Sequence, residues 1–492
     1  MKNLFLFLLT ALLLAACKQN TQPSGNQGMK NLSKIQVTNK GNVAYTSYFA
    51  SNTMRLDYNH SGTSREEHFA IDQVVSDGAW PGSRTVLTDT LELGLYFFRV
   101  IDKQTHELLY SRGFGSVFGE WMTTPEADST WGTFNESLRF PWPLKPVIVI
   151  IDRRDAKNKF QPVWSIDIDP ASRQVTNAEN LATYKTDVIF ENGPASQKVD
   201  LVILGDGYTA AEMEKFRKDA NRLTEALFTA EPFKSRKADF NVRAVETPSM
   251  VSGVCKPHHN IYKRTPLSVH YSSFDSERYA LTYDNRTVRN VAASVPYDFM
   301  VILINEQTYG GGGIYNLYTT VSADNKFADY IMIHELGHHI AALADEYYTS
   351  SVAYEAPDIK LEPWETNVTA MLDKTNLKWK DLVETGTPLP TPWNKAAFDK
   401  YGYTIQKTRD SIRAAQLPES VMEELFMKQK AGEDAYFAKE QYKDKVGAFE
   451  GAGYAEKGLY RSQLDCIMYT RHIQYCKVCQ RSLGRVFDQY AK

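Results

Sequence analysis

The chain has 492 residues, with 56 Lys and Arg against 59 Asp and Glu and a formal net charge of −3 at neutral pH. That length exceeds what one ordinary hydrophobic core serves, so two or more domains are expected. A near-zero net charge without a basic tract leaves no electrostatic footprint for nucleic acid, which is therefore not an expected partner.

The first residues read as an export signal: a basic Lys2, an apolar run through Leu14 broken only by Thr10, and small residues before Cys17. The run is short for a bilayer span, and no later stretch is apolar for long enough to cross one. Leu14-Ala15-Ala16-Cys17 resembles a bacterial lipobox, which implies removal of residues 1–16 and a lipid on Cys17. Residues 17–28, rich in Gln, Asn, Ser and Gly, read as the tether of a protein held in the bacterial cell envelope, on its periplasmic or surface face. Four further cysteines, Cys255, Cys466, Cys476 and Cys479, would meet a disulfide-permissive compartment. Cys476 and Cys479 have the spacing of half a zinc site or a redox pair, but one CxxC is a weak signal, and structural pairing or buried thiols are the expectation.

From residue 29 to 170 the pattern favours strands: Leu91 to Ile101, Leu108 to Tyr110, Val147 to Ile151 and Pro162 to Ile168, with turn residues between. An antiparallel β-sandwich acting as an accessory domain is expected. Its histidines, His60, His68 and His106, are scattered and suit ordinary surface or core roles. Residues 171–492 read as an α/β catalytic domain, in an α+β multidomain protein. Val199 to Leu204 is a buried-type strand, Thr209 caps a helix running to about Leu227, and strands recur at Phe240 to Glu246 and Phe299 to Asn305. A helix then starts near Phe327, and a charged segment from about 354 to 441 reads as a helical insertion.

The chemistry concentrates on that helix. His334 and His338 are four residues apart, so their imidazoles leave one face one turn apart and reach a single zinc ion, the HExxH arrangement. Glu335 beside the first histidine is placed to take a proton from water that such an ion acidifies. A third ligand is required. On a straight helix Asp345 would lie about 16 Å along the axis from His334, so the helix has to end near Ala342 to Ala344 and fold back if Asp345 is to bind. Asp345 and Glu346 are the adjacent candidates, with Asp345 favoured and Glu450 the distant alternative.

These residues carry a resemblance to the bacterial IgA-peptidase family of metallo-endopeptidases, related to the metzincins. His334-Glu335-Leu336-Gly337-His338 continuing to Leu343-Ala344-Asp345-Glu346-Tyr347 is similar to the family's HExGH and LxDEY. Gly205 to Thr209 resembles its GDGYT, and Tyr309 with Gly310 to Gly313 its glycine-rich segment. Phe449 to Ala452, Tyr460-Arg461 and Cys466-Ile467-Met468 resemble its later signals, and the first half is similar to its N-terminal domain. The resemblance implies a metzincin-like zinc peptidase domain acting on protein or peptide. His334, His338 and Asp345 would be its ligands, Glu335 its general base, and Met468 a Met-turn beneath the metal. Tyr460 and Tyr347 are candidates at the oxyanion, and Gly311 and Gly312 are candidates for close approach of a substrate backbone. No GK[ST] follows the glycines, so no nucleotide is expected. Ala341 and Ala344 depart from the common metzincin glycine and third histidine. Two other functions remain open: a surface lipoprotein that binds glycan or protein without catalysis, and a zinc amidase acting on cell-wall peptide.

Overall fold

Aromatic and β-branched runs build the first half as two four-stranded sheets around one core. The computed structural model describes residues 37–38, 41, 43–176, 184–350 and 359–491. The export signal, Cys17 and the tether lie outside them, and no helix among the described residues is long and apolar enough to cross a membrane. After the short helix α1 (Tyr45–Tyr48) come β1 (Phe49–Gly62), β2 (Glu67–Ala79), β3 (Tyr96–Asp102), β4 (Leu108–Phe114), helix α2 (Val117–Trp121), β5 (Gly132–Pro143), β6 (Val147–Arg154), β7 (Phe160–Ile168) and β8 (Val175–Thr176). One sheet has the order β5-β1-β2-β8 and the other β4-β3-β6-β7. Leu56, Phe98, Val100, Phe140, Val149 and Ile151 meet in the core between them. The pairing is antiparallel apart from β8, which runs parallel to β2.

The second half is built on a mixed six-stranded sheet of order β13-β14-β12-β10-β11-β9. Its strands are β9 (Thr186–Phe190), β10 (Val199–Asp206), β11 (Phe240–Val245), β12 (Phe299–Ile304), β13 (Gly311–Ile314) and β14 (Tyr318–Ser322). β10, β11, β12 and β14 are mutually parallel, while β9 and β13 close the two edges antiparallel. Because side chains alternate along a strand, β10 serves two cores. Leu201 and Ile203 pack with α3 (Met213–Leu227), α5 (Ala328–Ala341) and α8 (Lys477–Phe487). Val202 and Leu204 pack with α4 (Asn285–Ala292) and with Val117, Phe118 and Trp121 of α2.

The two halves are thus joined by a shared apolar cluster and by part-buried polar bonds. Arg55 of β1 donates to the Asn290 side chain at 2.8 Å, Arg139 of β5 to the Tyr297 carbonyl at 2.9 Å, and Asn285 to Ser137 at 2.7 Å. His60 has the core role expected of it, buried between Glu136 and Glu67 at 3.0 and 3.1 Å.

The segment read as an insertion divides in two. Its later part is a helical hairpin, α6 (Lys395–Ala414) and α7 (Glu419–Phe437). Its earlier part threads back into the main core: Trp379 is fully buried and donates to the Gly447 carbonyl at 2.7 Å. There β15 (Val368–Thr369) pairs with β17 (Ala455–Arg461), which pairs in turn with β16 (Phe449–Ala452).

Candidate active site

α5 lies buried under the β13 edge, and its sequence explains the close fit. A side-chain carbon on Gly313 would lie 2.2 Å from the Glu335 carbonyl, and one on Gly311 would meet Ile331 Cγ2 at 2.7 Å. Only glycine lets strand and helix approach this far. On the opposite side of α5, a carbon on Gly337 would meet Met468 Sδ and the Tyr475 ring, each at 3.0 Å. Met468 is fully buried beneath the turn that separates His334 from His338.

The helix stops at Ala341. Ala342 turns left-handed at φ 48°, its amide donating to the His338 carbonyl at 3.0 Å and that of Leu343 to the Gly337 carbonyl at 3.2 Å. That conformation costs a residue with a Cβ roughly 1–2 kcal/mol, which the surrounding contacts offset. The reversal is held by Asn367, whose side chain accepts from the Ala344 amide at 2.9 Å and donates to the Ala344 carbonyl at 2.8 Å. Asp345 is thereby returned to the histidines.

Three donor atoms converge there. Asp345 Oδ1 lies 3.0 Å from His334 Nε2 and 3.3 Å from His338 Nε2, and the two Nε2 atoms are 3.2 Å apart. His334 Nδ1 lies 2.9 Å from the Ile467 carbonyl and His338 Nδ1 bonds the Leu343 carbonyl. Carbonyls only accept, so both Nδ1 atoms carry hydrogen, and Nε2 is the atom that each ring turns toward Asp345. Asp345 Oδ1 is buried without a hydrogen-bond donor. Two imidazole lone pairs and an orphaned carboxylate oxygen are a donor set that a divalent cation such as zinc fits. Glu335 has a carboxylate oxygen within 4.8 Å of both imidazoles.

The electrostatics follow from the same contacts. Burial alone would raise the Asp345 pKa, but the two imidazoles hold it well below the carboxylate range. Burial lowers His338, and the Asp345 and Glu335 carboxylates overcome it and push that ring up to about 9, so a cation bound at its Nε2 takes the place of a proton. The second Asp345 oxygen accepts from the Tyr454 hydroxyl, which burial and Asp345 keep protonated.

These groups open into a cavity that His334, Glu335, His338 and Asp345 share with Arg278, Tyr279, Gly311, Gly313, Tyr347, Tyr454 and Glu120. A second, mostly apolar hollow adjoins it through His338 and Asp345, with Leu95, Tyr315, Leu343, Trp364, Val368 and Leu459 in its walls. Glu120 of α2 brings the N-terminal half to the site, accepting from the Tyr279 hydroxyl at 3.1 Å.

Of the sequence candidates, Tyr347 lines the cavity, its ring roughly parallel to that of His334 and its hydroxyl accepting from Arg278 at 3.1 Å. Gly311 lines it too, whereas Gly312 faces the Tyr279 ring and Leu281. Tyr460 is not a wall of either hollow. Leu459 takes that direction, so strand alternation turns Tyr460 away, paired across β16 with Glu450. The hydroxyl at the site comes from Tyr454, in the turn before the same strand, at φ 64°. Glu450 accepts from the Gly458 amide at 3.2 Å and takes no part in the histidine cluster. Arg278, Glu120 and Tyr454 are the residues that sequence reading missed. The Gly205-Asp206-Gly207 segment is scaffold: Asp206 is fully buried and accepts from Thr265, Leu267 and Val269 at 2.7, 3.1 and 2.9 Å.

A strand-edged cleft over a helix that presents two histidines and a glutamate, with an aspartate folded back onto them, has the groups of a metal-assisted hydrolase. The chain belongs to the IgA peptidase M64 family: that family's model matches residues 188–487, and the model of the peptidase M64 N-terminus matches residues 44–165. The family is metal-dependent, and the donor set above accords with that. No curated protein matches the chain.

Proposed function

We propose that this protein is an exported, lipid-anchored zinc metallo-endopeptidase, with His334, His338 and Asp345 as ligands and Glu335 as general base. The observation that carries the reading is the convergence of two Nε2 lone pairs and Asp345 Oδ1 within 3.0–3.3 Å, beside a carboxylate that faces an open cavity. A zinc ion, when bound, supplies Lewis acidity, which acidifies water and polarises a peptide carbonyl.

The chain's own groups do the rest. Glu335 accepts the proton of the attacking water on its carboxylate and returns it to the leaving amide nitrogen. Arg278 and the Tyr347 hydroxyl it holds face the same cavity, where their N–H and O–H groups favour negative charge developing on the carbonyl oxygen. Tyr454 orients Asp345 through its outer oxygen. The apolar hollow beside His338 suits a hydrophobic side chain next to the cleaved bond.

Zinc content and peptide-library cleavage test this on the wild type, Glu335→Gln and Asp345→Ala. Near-stoichiometric zinc with cleavage is expected in the wild type, zinc without cleavage in Glu335→Gln, and loss of both in Asp345→Ala. Full turnover by Glu335→Gln would remove the general-base role, and cleavage of cell-wall amides alone would move the assignment to an amidase. The anchor rests on Leu14-Ala15-Ala16-Cys17. Metabolic lipid labelling should mark the wild type and not Cys17→Ser.

A further inference from the structure

The residue after Asp345 points into a second cluster of metal-binding groups. Glu346, Cys466, Cys476 and Cys479 each offer a ligand atom, and these four atoms lie within 4.8 Å of one another. All four residues are buried: Glu346, Cys466 and Cys479 are fully enclosed and Cys476 is 4 % exposed. The three cysteines are free thiols in this structure.

The spacing is that of a coordination shell. Cys466 and Cys479 sulfurs are 3.8 Å apart, and a tetrahedral zinc with bonds of about 2.3 Å to sulfur separates two of them by about 3.8 Å. The same pair is not joined as a disulfide, whose sulfurs sit about 2.05 Å apart. Cys479 Sγ lies 3.6 Å from Glu346 Oε1, and Oε2 of the same carboxylate is buried with no hydrogen-bond partner.

Polar hydrogens point at the sulfurs, as they do around thiolates that carry charge. The Cys476 amide donates to Cys466 Sγ at 3.2 Å, the Cys479 amide to Cys476 Sγ at 3.4 Å, and Ser462 Oγ lies 3.1 Å from Cys476 Sγ. Cys476 also caps the N-terminus of α8, where the helix dipole favours a negative sulfur. Three soft sulfur donors and one carboxylate, closed to solvent, select zinc among common divalent ions and leave no open position for substrate.

We infer that Glu346, Cys466, Cys476 and Cys479 form a second, structural zinc site. Its donors do not depend on the proposed function; its consequence for catalysis does. Glu346 donates its amide to the Met468 carbonyl at 2.8 Å, and the Ile467 carbonyl accepts from His334. An ion held between Glu346 and Cys466 therefore clamps the loop that delivers Asp345 to the loop that orients His334.

The test uses the whole chain, purified without chelator, and a His334→Ala/His338→Ala variant that dismantles the first cluster. Two zinc ions per wild-type chain and one in the histidine variant are expected. The retained ion should show a shell dominated by sulfur at about 2.3 Å in X-ray absorption, and cobalt in its place should give thiolate-to-metal charge-transfer bands. Cys476→Ser/Cys479→Ser should remove that signal. If the histidine variant does not fold, the wild type decides alone: sulfur in the zinc shell supports the site. A shell of nitrogen and oxygen only, or a mass lighter by the two hydrogens of a disulfide within the trio, overturns it. A wild type that lacks zinc at the histidines but keeps a sulfur-bound ion would reject the proposed function and leave this inference standing.

Discussion

Asp345 and Glu346 are neighbours in the chain and belong to two clusters of opposite character. Asp345 joins two imidazoles at the wall of a cavity, where one side stays open to a substrate. Glu346 joins three thiols in a sealed pocket behind it. Nitrogen and oxygen donors around an open position suit chemistry, and sulfur donors without access suit architecture. One loop serves both, which ties the geometry of the reactive side to the rigidity of the closed side.

The largest test of that contrast is chemical. Glu335→Gln should lower kcat by about 10²–10⁴-fold with unchanged secondary structure and metal uptake, since it removes only the proton acceptor. Activity retained within tenfold would place the base elsewhere. Mild chelation should separate the clusters next: activity falls and returns with added zinc, while the sulfur-bound ion leaves only on unfolding. Simultaneous loss of both ions would break the distinction between an open and a closed site.

Packing effects come after these. Gly337→Ala places a methyl 3.0 Å from Met468 Sδ and Tyr475, and overpacking of this kind costs about 1–3 kcal/mol. Denaturant unfolding should register that loss, with activity reduced further because the crowded turn carries both histidines. Tyr454→Phe removes one donor from the outer oxygen of Asp345. Hydrogen bonds to charged groups contribute about 1.5–3 kcal/mol, so a decrease of roughly ten- to a hundredfold in metal affinity or kcat is expected. A Tyr460→Phe control should behave as wild type.

The last test is a residue outside both clusters whose effect is on stability alone. Burial in the α6–α7 hairpin pushes the Glu433 carboxyl up to about 7, with Arg471 and Gln429 only partly opposing it. Between the unfolded value near 4.5 and 7 the folded chain holds a proton that the unfolded chain has released, so stability falls as pH rises through that window. Glu433→Gln should flatten this slope and raise stability at pH 8 by of the order of 1–3 kcal/mol. An unchanged pH profile of thermal unfolding would show that Glu433 ionises normally. Neither cluster's metal content should respond.

Local pattern made much of the frame legible. The i, i+4 spacing of His334 and His338 places them on one helical face, and the apolar runs at Val147, Val199 and Phe299 become β6, β10 and β12. β1 was harder to read because both its faces are buried. Leu56 and Tyr58 enter the sandwich core, while Arg55 and Asp57 pair with each other at 2.9 Å on the face turned to α4, so polarity does not mark exposure. The glycines at 310–313 gave no strand signal, since what they satisfy is the approach of α5.

By itself, then, the sequence determined several elements and part of the chemistry available to them: buried strands by their apolar runs, the helix that carries the histidines by its period, and a histidine pair spaced to share one metal ion. Tertiary structure decided which distant groups share that chemistry. Tyr454 rather than Tyr460 reaches Asp345 because a turn and a strand's alternation aim their side chains differently, and Arg278 and Glu120 arrive from separate segments. The cysteines looked like an isolated CxxC for the same reason. Their other partners, Cys466 and Glu346, are brought in by chain reversals, and spacing along a sequence carries no record of contacts made across a fold.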